Sequence, residues 1–179
     1  MESIELSDAP EKSLDVAKEL SAETVLVYSR NKYYADVWSD RKNGRSRFVF
    51  NAWAAIFGYL WCMHMRLYRT GVVLTLLVLG AICTAVYLDE HSARYTQIYL
   101  YAALLGVIAI HGVFGFIATD LYLRKAERDI ATLVASKIPP MYFGDVVKAA
   151  GGANFGVAML YGFLFSIVCF VAVGLIRSF

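Results

Sequence analysis

GVVLTLLVLGAICTAVYL, residues 71–88, runs the length of a bilayer crossing without one charged side chain. At 1.5 Å per residue, a helix of that length covers about 27 Å, close to a hydrocarbon core of about 30 Å. Two more stretches are long and apolar enough to span: IYLYAALLGVIAIHGVFGFIATDL at 98–121, whose one charged side chain is Asp120 at its end, and GVAMLYGFLFSIVCFVAVGLI at 156–176. None of the three contains Lys or Arg, either of which would oppose insertion by about 2.5–3.5 kcal/mol at a helix centre. The whole chain agrees, with 59% of its 179 residues apolar and 18% charged, more apolar surface than a water-soluble fold of this size can hide. The sequence therefore predicts an all-α membrane protein: three transmembrane helices, an interfacial amphipathic helix and a cytoplasmic helical N-terminal tail.

Residues 1–47 are the polar tail. Asp8 is a predicted N-cap, with Pro10 and Glu11 following as in a capping box and Leu14, Ala17 and Leu20 forming an apolar stripe. A second helix start is expected at Ser21, with Leu26, Tyr33, Tyr34, Val37 and Trp38 carried toward one side and a basic turn from Asp40 to Arg47 ending it. The start, Met1-Glu2-Ser3-Ile4-Glu5, has no basic and apolar leader pattern, so targeting is expected to come from the later helices.

Residues 48–69 hold the aromatic segment. On a single helical wheel Phe50, Trp53, Phe57, Trp61, Met65 and Tyr68 recur at three- and four-residue steps, with Asn51, Ala55, Cys62, Arg66 and Arg69 opposite. That division suits a helix lying in the interface, or dipping in and returning, with Trp53, Phe57, Trp61 and Arg66 as anchors. Flanking charge supports it. Arg41, Lys42, Arg45 and Arg47 precede the segment and Arg66 and Arg69 follow, so a full crossing would translocate one basic cluster. Three crossings plus the interfacial helix are favoured over four.

Residues 70–179 form the membrane domain, with a cytoplasmic segment at 122–155. Arg124, Lys125, Arg128, Lys137 and Lys148 follow the second span, whereas the 89–94 loop has one basic residue, Arg94. The positive-inside bias thus places the tail and the 122–155 segment in the cytoplasm of a bacterial inner membrane and residue 179 outside. A helix is expected to continue from Arg124 to Ala135 with Lys125 and Asp129 paired, stopped by Ile138-Pro139-Pro140; Gly144 to Gly156 reads as loop-like or amphipathic.

The run Phe50-Asn51-Ala52-Trp53-Ala54-Ala55-Ile56-Phe57-Gly58-Tyr59-Leu60-Trp61, with Arg66 and Tyr68 after it, resembles the aromatic entry motif of the bacterial membrane family called domain of unknown function 2628. His111-Gly112-Val113-Phe114-Gly115 leading to Leu121-Tyr122 is a second point of similarity, and Gly151-Gly152 a third. The sequence departs from the pattern at Ala52, at Tyr59 where Pro is common, and over Ile117 to Asp120. The resemblance covers roughly residues 33–175 and implies no enzymatic role, since the family has none established.

His111 is the sharpest polar feature, an ionisable side chain near the middle of the second span. It is weighed between a neutral imidazole bonded to a neighbour and a pH-sensing or transport role. Asp120, at the end of the same span, reads as an ion pair or helix-end hydrogen bond. Ala158, Gly162 and Ser166 in the last span, and Ala102 and Gly106 in the second, recur every four residues as helix-packing seams, within the chain or between two chains. No cofactor or metal is expected: Cys62 and His64 diverge on a helix, and Cys62, Cys83 and Cys169 have no paired spacing. The net charge of +2 gives no reason to expect nucleic acid. With no phosphate loop, nucleophile elbow or metalloprotease signature, an enzyme is not expected. The expected partners are the lipid bilayer and a membrane protein, in a non-catalytic scaffold or regulatory role; the rivals are a transport or proton-responsive component using His111, and an immunity protein against a membrane-active toxin.

Overall fold

The computed structural model describes residues 19–45, 49–91 and 96–178. The predicted Asp8 cap with its Leu14 and Ala17 stripe, the end of the basic turn at Ser46 and Arg47, and the 92–95 part of the loop lie outside them. Among the described residues every element is helical.

The chain divides into two compact units, one within Met1–Arg47 and Leu123–Gly152, the other within Phe48–Tyr122 and Ala153–Phe179. In the first, α1 (Ala22–Ser29) starts where expected: the Ser21 hydroxyl accepts from the Thr24 N–H at 3.2 Å. It ends after only two turns. Arg30 takes the left-handed conformation, φ 54°, with its N–H on the Leu26 carbonyl, and the Asn31 amide oxygen then accepts from the Tyr33 N–H to open α2 (Lys32–Lys42). The expected single helix is thus two, and its apolar side divides: Tyr34, Val37 and Trp38 are buried, while Leu26 and Tyr33 stay exposed. The last turns of α6 (Thr96–Ala135) contribute buried Leu123, Ala126 and Ile130 to this unit. Pro140 sits in the first turn of α7 (Pro140–Ala150), where its missing N–H costs nothing. Of the two readings for Gly144 to Gly156, loop-like or amphipathic, the second holds through Ala150: α7 buries Phe143 and Val147 and leaves Met141 and Tyr142 exposed.

The second unit holds three helices long and apolar enough to cross a membrane: α5 (Tyr68–His91), α6 and α8 (Phe155–Ile176). All three predicted spans fall inside them. α6 is about 60 Å long at 40 residues, twice a hydrocarbon core. α8 begins where the Asn154 side chain accepts from the Val157 N–H at 3.1 Å.

The aromatic segment departs most from its wheel. It is two six-residue helices, α3 (Ala52–Phe57) and α4 (Tyr59–His64), broken at Gly58, whose φ of 45° and ψ of −112° no L side chain adopts comfortably. The break rotates the second half against the first. Trp53, 66% exposed, stacks on exposed Phe57, whereas Trp61, only 6% exposed, turns inward. One continuous amphipathic stripe does not exist, and α4 packs against α5 and α8.

Candidate functional site

Along α6 the chain passes from Gly115, beside Asn51, to His111, beside Gly58, and back to Phe114 and Tyr122, beside Trp61, so α3 and α4 form a hairpin, and it seats among the long helices through glycines. An added Cβ at Gly115 of α6 would lie 2.7 Å from the Phe50 ring and 2.8 Å from the Ala55 Cβ. At Gly71 of α5 it would meet the Met63 methyl at 2.7 Å, and at Gly162 of α8 a Leu60 methyl at 2.9 Å. Each long helix thus carries a notch that a hairpin side chain fills, the close approach that small residues permit between helices.

Asn51 pins the entry. Its side-chain oxygen accepts from the Ala54 N–H at 3.0 Å and caps α3, its own N–H donates to the Gly115 carbonyl at 2.9 Å, and its amide reaches the Thr119 hydroxyl at 3.4 Å. Both side chains are buried, so the amide is satisfied where water does not reach it. At the far end the Asn154 N–H donates to the His64 carbonyl at 2.7 Å, tying the last turn of α4 to the start of α8.

His111 lies directly against the helix break. Its ring covers the face of Gly58 so closely that an added Cβ would fall 2.6 Å from Cε1 and 2.8 Å from Cδ2. The Tyr59 ring stands 6.4 Å away, centroid to centroid, and itself packs on Tyr161 and Phe165 of α8. The Tyr161 hydroxyl donates to Thr75 of α5 at 3.0 Å. His111 Nε2 is buried and has no hydrogen-bond partner among the described residues.

The other site residues read from the sequence take varied places. Trp61 makes edge contacts with Phe114 and Tyr122. Arg66 is half-buried and holds a positive φ of 59°, its N–H on the Met63 carbonyl, in the turn before α5. Asp120 is half-buried on α6. Ala158 is buried beside the Gly162 notch, and the Ser166 hydroxyl folds back onto the Gly162 carbonyl at 2.9 Å. Ala102 is exposed and Gly106 has open space where a Cβ would stand.

In the first unit a second polar cluster forms. The Tyr28 hydroxyl donates to Asp129 Oδ2 at 2.5 Å, and Lys125 Nζ reaches both, Asp129 at 2.7 Å and Tyr28 at 2.5 Å. The expected Lys125 and Asp129 pair is present, with Tyr28 added from α1. Trp38 Nε1 donates to Glu127 at 2.9 Å, with Lys42 3.5 Å from the same carboxylate. Gly151 and Gly152 close the unit: the Gly152 N–H donates to the Tyr28 carbonyl at 2.7 Å, and any Cβ on Gly151 would strike that carbonyl.

The two stretches quoted for the family resemblance therefore meet in space, Asn51 on Gly115 and Gly58 on His111. A family model described as a protein of unknown function, DUF2628, matches residues 17–128. The chain belongs to the DUF2628 family. In this DUF2628 protein the match takes in α1 to α5 and most of α6, and hence the complete contact between hairpin and α6. It ends before α7, so Gly151 and Gly152 lie beyond it. No curated protein and no solved structure matches the chain.

Sequence reasoning named Gly58 and Gly151 only as parts of the family resemblance, without a structural role, and passed over Tyr28. A lone Gly inside an apolar helical run, and an Asn just ahead of one, are the signals for a break and a cap at Gly58 and Asn51. Tyr28 had none, because its partners lie about a hundred positions away.

Proposed function

We propose that this DUF2628 protein is a non-catalytic scaffold or regulatory membrane partner of the bacterial cytoplasmic membrane, with its N-terminal helices and the 122–155 segment on the cytoplasmic side. The observation that carries the reading is how its polar side chains are engaged. Tyr28, Lys125 and Asp129 satisfy one another, Trp38 and Lys42 share Glu127, and Asn51 holds the hairpin on α6. Satisfied networks of this kind rigidify a surface and specify its shape, the property a docking scaffold needs. Orientation rests on the basic residues Arg41, Lys42, Arg45, Arg124, Arg128 and Lys148, which flank spans on the proposed inner side.

Capture of the full chain from its native membranes, beside a Gly151→Val variant whose α1 to α7 contact is blocked, tests the role. A membrane protein enriched by the wild type and lost with the variant is expected; identical captures, or a chain that comes out alone, overturn the reading. An impermeant maleimide applied to intact cells tests orientation. Lys32→Cys should be shielded and Ser178→Cys reached, and the reverse pattern refutes the placement.

A second reading, a proton-responsive component, draws on the buried Nε2 of His111 at the helix break. Proton leak into phosphatidylcholine vesicles carrying the wild type should then fall with His111→Ala. Equal leak removes it.

A further inference from the structure

Between α5 and α6, within the second unit, runs an open groove of about 480 Å3. Val73 and Leu77 line one side and Ala109, Val113 and Ile117 the other, with Thr70 the only hydroxyl along it. Val73, Leu77, Val113 and Ile117 are all exposed, so no described residue covers them. From Thr70 to Leu77 along α5, and from Ala109 to Ile117 along α6, is about 10–12 Å at 1.5 Å per residue. Half of a hydrocarbon core of about 30 Å is about 15 Å, so the groove fits inside one leaflet.

That length argues about the occupant. A partner helix crossing the membrane would need a seam along the whole span, whereas this groove stops after about two turns. Its polar end also has a distinct chemistry. Arg69, exposed, precedes Val73 by four residues and Leu77 by eight, and so shares their face of α5 one turn nearer the membrane surface. Its long side chain can keep its stem along apolar surface while the guanidinium sits among headgroups. Arg66 stands in the preceding turn. Asp120, the carboxylate nearest in sequence to Ile117, is half-buried and has an interaction of its own. A groove that is apolar along its length, has its one hydroxyl, Thr70, at one end, and has an exposed arginine beyond that end on the same face of α5 has the polarity of a phospholipid laid along it.

We infer that the α5 to α6 groove binds one anionic phospholipid of the surrounding leaflet, an acyl chain lying between Val73, Leu77, Val113 and Ile117 and its phosphate held by Arg69. Arginine suits the phosphate because its planar fork donates two parallel hydrogen bonds. The inference goes beyond the scaffold role and stands or falls without it.

The test reconstitutes the full chain in vesicles of equal phosphatidylcholine and phosphatidylglycerol and counts the lipids retained by native mass spectrometry. Phosphatidylglycerol should be retained over phosphatidylcholine by about five-fold, the ratio one basic residue at a membrane surface supplies. Arg69→Gln should bring that preference close to parity, and Ile117→Trp, which fills the groove, should lower retention of both lipids. Ala109→Phe fills it from the other end and keeps the test open if the tryptophan variant fails to fold. Parity in the wild type, or unchanged retention in a folded groove-filling variant, overturns the assignment. A benzophenone side chain placed at Val113 and photolysed in native membranes gives an independent arm. A phospholipid adduct supports the inference, and an adduct to a second copy of the chain or to another protein replaces it.

Discussion

Replacing Gly58 by alanine should loosen the hairpin from the bundle, and the structure supplies the size of the effect. The backbone at this position, φ 45° and ψ −112°, lies outside the basins open to an L residue, a strain of about 1–3 kcal/mol. The new methyl would also sit 2.6 Å and 2.8 Å from two carbons of the His111 ring, and overpacking of that kind costs about 1–3 kcal/mol more. Against this stands the stiffening of the unfolded chain by a Gly to Ala change, about 0.4–1 kcal/mol in favour of folding. The penalties win, leaving a loss of roughly 1–5 kcal/mol. The steric part has one source, so it should disappear when the imidazole is removed. In a His111→Ala background Gly58→Ala should therefore cost only the backbone strain, and the double-mutant cycle should show a coupling of about 1–3 kcal/mol. The assay is denaturant unfolding of the purified chain in micelles, followed by far-UV helicity, for the wild type, both single variants and the double. A Gly58→Ala protein as stable as the wild type, or a coupling within about 0.5 kcal/mol of zero, would refute the argument that the break and His111 form one packed site.

Three other outcomes follow from the same geometry. Gly151→Ala drives a methyl into the Tyr28 carbonyl, a backbone group that cannot rotate aside, and should destabilise the first unit by about 1–3 kcal/mol, read as faster hydrogen exchange at α1 and α7. Tyr28→Phe removes the hydroxyl bridging Lys125 and Asp129 and should lower stability by about 1–2 kcal/mol, with Lys125→Met in the same background costing less than it does alone. Burial pushes the Cys62 thiol up to about 12, so the thiolate is scarce at pH 8 and the folded chain should resist iodoacetamide at Cys62 until denatured. Rapid alkylation of the native chain at that residue, read by peptide mass spectrometry, would contradict its packing.

The spans were legible in the sequence because burial in lipid makes a demand on every residue of a stretch. An apolar run of eighteen residues or more without Lys or Arg satisfies it wherever the neighbours stand. Local signals were equally readable: Ser21 opens α1, Pro139 and Pro140 separate α6 from α7, and Lys125 pairs with Asp129 one turn away. The 48–65 segment failed as one wheel for a reason that periodicity cannot contain. A wheel presumes that residue i keeps its angle to residue i+4, and Gly58 breaks that relation in the middle. Likewise Arg30 adopts a left-handed conformation that its side chain does not favour, so Leu26 and Tyr34 part company.

What the residues by themselves determine is therefore the solvent each stretch requires: bilayer for 71–88, 98–121 and 156–176, water or the membrane surface for the charged remainder. Helix caps belong to the same class, since an Asn or Ser acts on an N–H two or three positions along. The candidate site belongs to the other. Asn51 finds Gly115, Gly58 finds His111 and Leu60 finds Gly162 only after three helices have converged. Contacts between residues tens of positions apart depend on the bundle's packing, because a glycine is a notch only when another helix brings a side chain to fill it.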